Sequence, residues 1–87
     1  MTHSQIVEFF LYHNVKINCL VKIQLLSGET FEARIADNKV LFEYDAKGFI
    51  INSHIKIIHS EALIEYKINQ KSTDLFSNEI REIYFIR

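Results

Sequence analysis

The chain contains no proline, no tryptophan, one cysteine and only two glycines in 87 residues. The near-absence of glycine and proline excludes collagen-like, flexible-linker and proline-rich recognition segments. A single cysteine, Cys19, excludes an internal disulfide framework and a cysteine-based zinc finger. No apolar run approaches the roughly 18 residues of a membrane-crossing helix. The N-terminal stretch has no basic region ahead of an apolar one and no small-residue cleavage signal, so the expectation is a cytoplasmic protein. Charge of one sign is missing too. Ten Lys and Arg stand against eleven Asp and Glu, for a net charge of −1. That balance does not advertise a polyanionic partner.

What the chain has in abundance is isoleucine. There are fourteen, beside seven Phe and four Tyr. Hydrophobic residues make up 48% and charged residues 24%, which is an ordinary globular composition. Eighty-seven residues form a single domain, 1–87. A chain of this size buries only about 60–65% of its unfolded surface. With no disulfide available, assembly into a homo-oligomer is the expected additional source of stability.

Periodicity orders the elements. Thr2 and Gln5 have capping-box spacing, and Ile6, Phe9, Phe10 and His13 follow at helical intervals, which predicts a helix over 2–13. Asn14 is its expected stop. The stripe is expected to pack on the chain's own sheet. The period then changes to two. Cys19, Val21, Ile23 and Leu25 alternate with more polar neighbours, Ser27-Gly28 marks a turn, and Phe31, Ala33 and Ile35 alternate again, a hairpin of strands 19–26 and 29–36. Further strands are predicted at 40–44, 49–58, 62–68 and 80–86. The second hairpin turn is Asp45-Ala46-Lys47-Gly48, and 69–74 is read as a polar loop. Gly28 and Gly48 are the structural turn residues. The final strand carries Ile80, Glu82, Tyr84 and Ile86 on one face and Arg81, Ile83 and Phe85 on the other. It is apolar on both faces, so Ile80, Ile83, Tyr84, Phe85 and Ile86 are expected at an oligomer interface. One helix and five or six short strands predict a mainly β protein, a small, strongly bent antiparallel β-barrel with an N-terminal α-helix.

The order of elements resembles the Sm-like family, and its bacterial Hfq-like branch in particular. The resemblance rests on Phe10-Leu11 in the helix, on Val21, Ile23 and Leu25 in the first strand, on Gly28 in the turn, and on Ile35 seven positions later, over roughly residues 3–68. Ala33 stands where the family has a small residue. His59-Ser60-Glu61-Ala62-Leu63-Ile64 stands where it has its Y-K-H-A-I stretch, which puts the family's Lys-His pair on Ser60 and Glu61. In an alternative register Ile80–Ile86 is the last barrel strand. The resemblance implies an SH3-like barrel, a homo-oligomeric ring and single-stranded RNA as partner. Because the family's RNA-contacting residues are replaced here, the contacts would fall to Lys39 and Lys56 on phosphates and to Gln24 and Asn38 at base edges.

Enzyme motifs are absent: there is no Gly-rich phosphate loop and no nucleophile elbow, so a non-enzyme is expected, with no cofactor. Cys19 alternates with Val21 and Ile23 and reads as a small core residue rather than a reactive thiol. His54 and His59 have the odd spacing that puts strand residues on opposite faces, and His3 and His13 lie near opposite ends of the helix, so no metal site is expected. Two functions stand open. One is an Sm-like RNA-binding ring, acting in post-transcriptional regulation. The other is a non-enzymatic protein-interaction module, an inhibitor or adaptor of phage or plasmid type. Neither involves a membrane.

Overall fold

A computed structural model describes residues 1–59 and 72–86. Helix α1 spans His3–Tyr12. Its start is the capping box: the Gln5 amide donates to Thr2 Oγ1 (3.1 Å) and the Thr2 amide to Gln5 Oε1 (2.8 Å). At its end Asn14 takes φ +49°, and the Val15 amide returns to the Phe10 carbonyl at 3.1 Å. This six-to-one bond caps a free carbonyl of the last turn and carries Val15 into the core. Ile6 and Phe10, one turn apart, are buried; Phe9 stacks on Phe85 at 5.3 Å between ring centroids. The helix stripe therefore packs within its own chain.

Six antiparallel strands follow: β1 (Leu20–Leu25), β2 (Thr30–Ile35), β3 (Leu41–Tyr44), β4 (Ile50–His59), β5 (Thr73–Phe76) and β6 (Ile80–Phe85). They form one sheet in the order β3-β4-β2-β1-β6, with β5 also on β4. His54 pairs Leu41 on one side and Phe76 on the other, while Ile57 pairs Ile35 and Thr73. Strands β2 and β3 thus lie in succession along one edge of β4, and β5 lies along the opposite edge. A short 3₁₀ turn, Ser77–Glu79, leads from β5 to β6, which returns to pair β1. Among the described residues the strand path is open, ending at β3 and at β6.

The core comes from α1, β1, β2, β4, β5 and β6, with seven isoleucines and two valines among its twelve buried hydrophobic residues. Branched side chains with few rotamers fill such a sheet-lined interior at little entropy cost. Cys19 is half-buried at the edge of this cluster, and burial pushes its thiol up from the ordinary value, which keeps it protonated and unreactive at neutral pH.

Two expectations need correction, and a third lies outside the described residues. Residues 73–74 are strand, not loop. The predicted strand at 62–68 lies outside the described residues. The faces of the last strand are not those of simple alternation. Gln24 pairs Glu82 while Leu25 pairs Ile80, so Arg81 is an extra residue, a β-bulge. The bulge turns Ile80 and Ile83 to the same side, where both are buried in the chain's own core. Phe85 packs against Phe9 and His13. Ile86 is half-buried. Of the five residues expected at an interface, only Tyr84, 48% exposed, offers much surface.

Gly28 sits at φ +94°, and its amide closes the β1–β2 turn onto the Leu25 carbonyl at 3.0 Å. A Cβ there meets nothing within 4 Å, so a substitution is penalised by the backbone conformation alone. Gly28→Val should lower stability by about 1–3 kcal/mol in a denaturant melt; a loss of only a few tenths means the turn has relaxed into another type.

Candidate interaction surface

The β3–β4 hairpin closes through Asp45. Its carboxylate accepts hydrogen bonds from the Lys47 amide (2.9 Å) and the Phe49 amide (3.0 Å), and its own amide donates to the Phe49 carbonyl (2.9 Å). Gly48 supplies the left-handed position at φ +86°. With the turn satisfied by backbone and Asp45, the flanking side chains are free to face outward. Tyr44 is 59% exposed, Phe49 67%, Ile50 42% and Ile51 54%. Tyr44 pairs with Ile50 across the hairpin, with a register shift beside them, and the rings of Phe42 and Tyr44 lie 6.4 Å apart. Helix α1 runs past the base of the hairpin. His3, Ser4, Val7 and Glu8 on the helix, with Phe42 and Ile50 on the hairpin, line a groove of about 320 Å³. Four large apolar side chains left in water within eight residues of chain, beside a groove, are unusual for an isolated small domain. The charges around them are few. Exposed Glu8 lines the groove and Lys47 stands at the tip, while Glu43, which alternates with Phe42 and Tyr44, lies on the other face of the hairpin and accepts from Asn52 Nδ2 at 3.2 Å.

Beneath the groove runs a polar chain. His3 Nδ1 and Ser53 Oγ are hydrogen-bonded at 2.5 Å, and Ser53 Oγ shares a short hydrogen bond with Ser77 Oγ. Both serines are almost fully buried, at 1% and 2% exposure. A Ser–His contact is the pairing of a nucleophile and its base, but an acyl carbon cannot reach an oxygen so enclosed. What the chain does is fix α1 onto β4 and the 3₁₀ turn, and so set the width of the groove. The sequence points to His3 only as a metal ligand to be weighed, and it does not single out Ser53 or Ser77. The signal was there: Ser53 occupies an inward position of β4, in phase with Ile55 and Ile57, where a hydroxyl must find a partner.

The residues expected to contact RNA do not all converge. Asn38 and Lys39 lie in the link between β2 and β3, where the Lys39 amide donates to Asp37 Oδ1 at 3.0 Å. This link lies opposite Lys56, whose carbonyl accepts from the Ala36 amide at 2.9 Å. Gln24 is on β1, between Thr30 and Glu82, with β2 separating it from β4. The Lys56 ammonium is already matched, donating to Asp74 Oδ1 at 2.9 Å. Beside the pair, His54 is buried between its strand neighbours Leu41 and Phe76, with Nε2 3.9 Å from Asp74 Oδ1 and Nδ1 without a hydrogen-bond partner. His59, by contrast, is exposed, its ring 4.6 Å from that of Phe31.

The hydrogen bond from Lys56, with the positive charge behind it, holds the Asp74 carboxyl below the usual aspartate range. A depressed folded-state pKa adds stability that is present above the unfolded value and is lost as pH falls through the folded one. Asp74→Asn should therefore be slightly less stable than the parent at neutral pH, with a smaller deficit at about pH 2, since falling pH protonates the parent's carboxyl and removes its advantage. Urea melts at the two pH values check this; an equal deficit at both would assign the effect to lost packing.

Comparison with family models, with curated proteins and with solved structures finds no match to this chain. Among the described residues no helix is long and apolar enough to cross a membrane.

Proposed function

We propose that this protein is a non-enzymatic interaction module that docks another protein chain on the apolar face of its β3–β4 hairpin. The carrying observation is the exposure of Tyr44, Phe49, Ile50 and Ile51 beside the groove lined by Val7 and Phe42. Surfaces of this composition release ordered water when covered by a partner, and aromatic residues dominate the energetics of such contacts. The scaffold in this proposal is a bent sheet closing toward an SH3-like or Sm-like barrel. Support comes from the broken β2–β3 strand on one edge of β4 and from the 3₁₀ turn that returns β6 to β1.

The test is site-specific photocross-linking in cells, with p-benzoylphenylalanine replacing Phe49 on the hairpin or Ser27 at the β1–β2 turn. Discrete protein adducts from position 49 alone are expected. Equal adducts from both positions, or none, would sink the proposal.

RNA binding on an Sm-like ring is a second reading. It is favoured by the shared neighbourhood of Asn38, Lys39 and Lys56 across the β2–β3 link. Its measurement is fluorescence anisotropy with U-rich and A-rich oligonucleotides at about 10 µM protein and 50 mM salt, where even non-specific electrostatic binding registers. Lys39→Ala should then reduce the salt slope by about one unit, while Gln24→Ala should alter base preference. Absence of binding under these conditions removes this reading.

A further inference from the structure

We infer that His3 gives the groove beside the hairpin a fixed N–H donor, and that the partner docks there as an extended segment offering this donor an open backbone carbonyl next to an apolar side chain; this rests on the docking reading given above. Two buried hydroxyls decide where the imidazole hydrogen lies. Ser77 Oγ, in a residue 2% exposed, has one hydrogen-bond partner among the described residues, Ser53 Oγ. Its O–H therefore donates to Ser53, because the alternative is a buried donor with no acceptor. Ser53, 1% exposed, then sends its own O–H to its other partner, His3 Nδ1 at 2.5 Å. Nδ1 is the acceptor of this chain, and the hydrogen-bond count puts the ring hydrogen on Nε2. The reverse order, from Nδ1–H through Ser53 to Ser77, strands the Ser77 hydrogen, and so does a doubly protonated ring.

Nε2 makes no hydrogen bond among the described residues, and it is not sealed from solvent: the enclosed side-chain nitrogen that lacks a partner among them is Nδ1 of His54. The His3 ring lines the groove together with Ser4, Val7, Glu8, Phe42 and Ile50. Ser53 and Ser77 hold the ring from behind, so the donor is presented to the groove in one orientation. Covering it with apolar atoms alone would strip Nε2–H of water and leave it unpaired, so the occupant has to bring an acceptor. Among the described residues lining the groove, Glu8 carries the only charge, and it disfavours a carboxylate or phosphate in that role. A neutral carbonyl meets both conditions. A helix spends its carbonyls on its own amides. An extended segment keeps them open and alternates them with side chains, one of which can enter between Val7, Phe42 and Ile50.

Proton–nitrogen correlation spectra of the full chain with isotope-labelled histidine report the tautomer. At about pH 8, above the ordinary imidazole value of about 6.5, His3 should carry its hydrogen on Nε2; a hydrogen on Nδ1 overturns the inference. His3→Asn keeps an acceptor near the Nδ1 position and has no atom at that of Nε2. Combined with p-benzoylphenylalanine at position 49, it should cut the discrete adduct by about tenfold at an unchanged urea midpoint. The partner peptide joined to position 49, mapped by mass spectrometry, should be apolar and poor in Asp and Glu. An adduct that persists in His3→Asn, one whose loss tracks a lowered urea midpoint, or one that maps to an acidic stretch overturns the inference and leaves the docking reading standing. No adduct in the parent overturns both.

Discussion

Ile55→Ala should lower the unfolding free energy by about 2–5 kcal/mol, as truncation of a fully buried branched side chain does when its surroundings collapse incompletely. Ile55 has no exposure at all. It lies on β4, the strand that pairs β2, β3 and β5, directly opposite the buried Leu75. Neighbours held by backbone pairing on both edges cannot close over the lost atoms. An 87-residue domain has a total stability of about 4–13 kcal/mol, so this one change removes a large part of it. Urea denaturation with an unchanged m-value measures the effect. A loss under about 1 kcal/mol would place Ile55 at a site able to repack, in contradiction to its position between three strands.

Ser53→Ala should have an effect of similar size, about 2–4 kcal/mol, through a different mechanism. The alanine is no worse a core residue than serine. The damage is to its partners: Ser77 Oγ becomes a buried orphan at about 1–3 kcal/mol, and the half-buried His3 Nδ1 loses the hydrogen bond that ties α1 to β4. A second substitution, Ser77→Ala, removes one orphan. The double variant should therefore be less destabilised than the sum of the two single changes. Since His3 belongs to the first turn of α1, amide exchange across α1 should speed up in Ser53→Ala more than exchange in β1 and β2. Strict additivity would mean the three side chains do not act as one chain.

The elements easiest to read from sequence were those whose signal is local. The Thr2–Gln5 box fixes the start of α1, and a glycine between two alternating runs fixes the β1–β2 hairpin. Both depend on residues within a few positions of one another. The features that escaped depend on distant partners. Strand β5 has four residues, of which only Leu75 and Phe76 are apolar, too few to establish a period; it is a strand because β4 offers it an edge. The bulge at Arg81 arises from a mismatch between β6 and β1, and it reverses the faces that alternation assigns. Ile50 and Ile51 have the same character as Ile55 and Ile57. They differ in burial because β5 flanks β4 only from His54 to Ile57 and leaves Ile50 and Ile51 beyond its end, and no local pattern states where a neighbouring element stops. For the same reason the hairpin was legible as a hairpin, while its uncovered face was not.

The pairing of β1 with β6 joins segments from near opposite ends of the described chain. During synthesis β1 and β2 emerge long before the strand that covers the other edge of β1. Until β6 arrives, Val21 and Ile23 lie beside an open row of backbone donors and acceptors, the kind of edge that recruits other unfinished chains. Contacts so distant in sequence also raise the contact order, which predicts refolding in milliseconds to seconds rather than microseconds. Expression yield should accordingly respond to translation speed and temperature more strongly than the equilibrium stability of the finished fold would suggest.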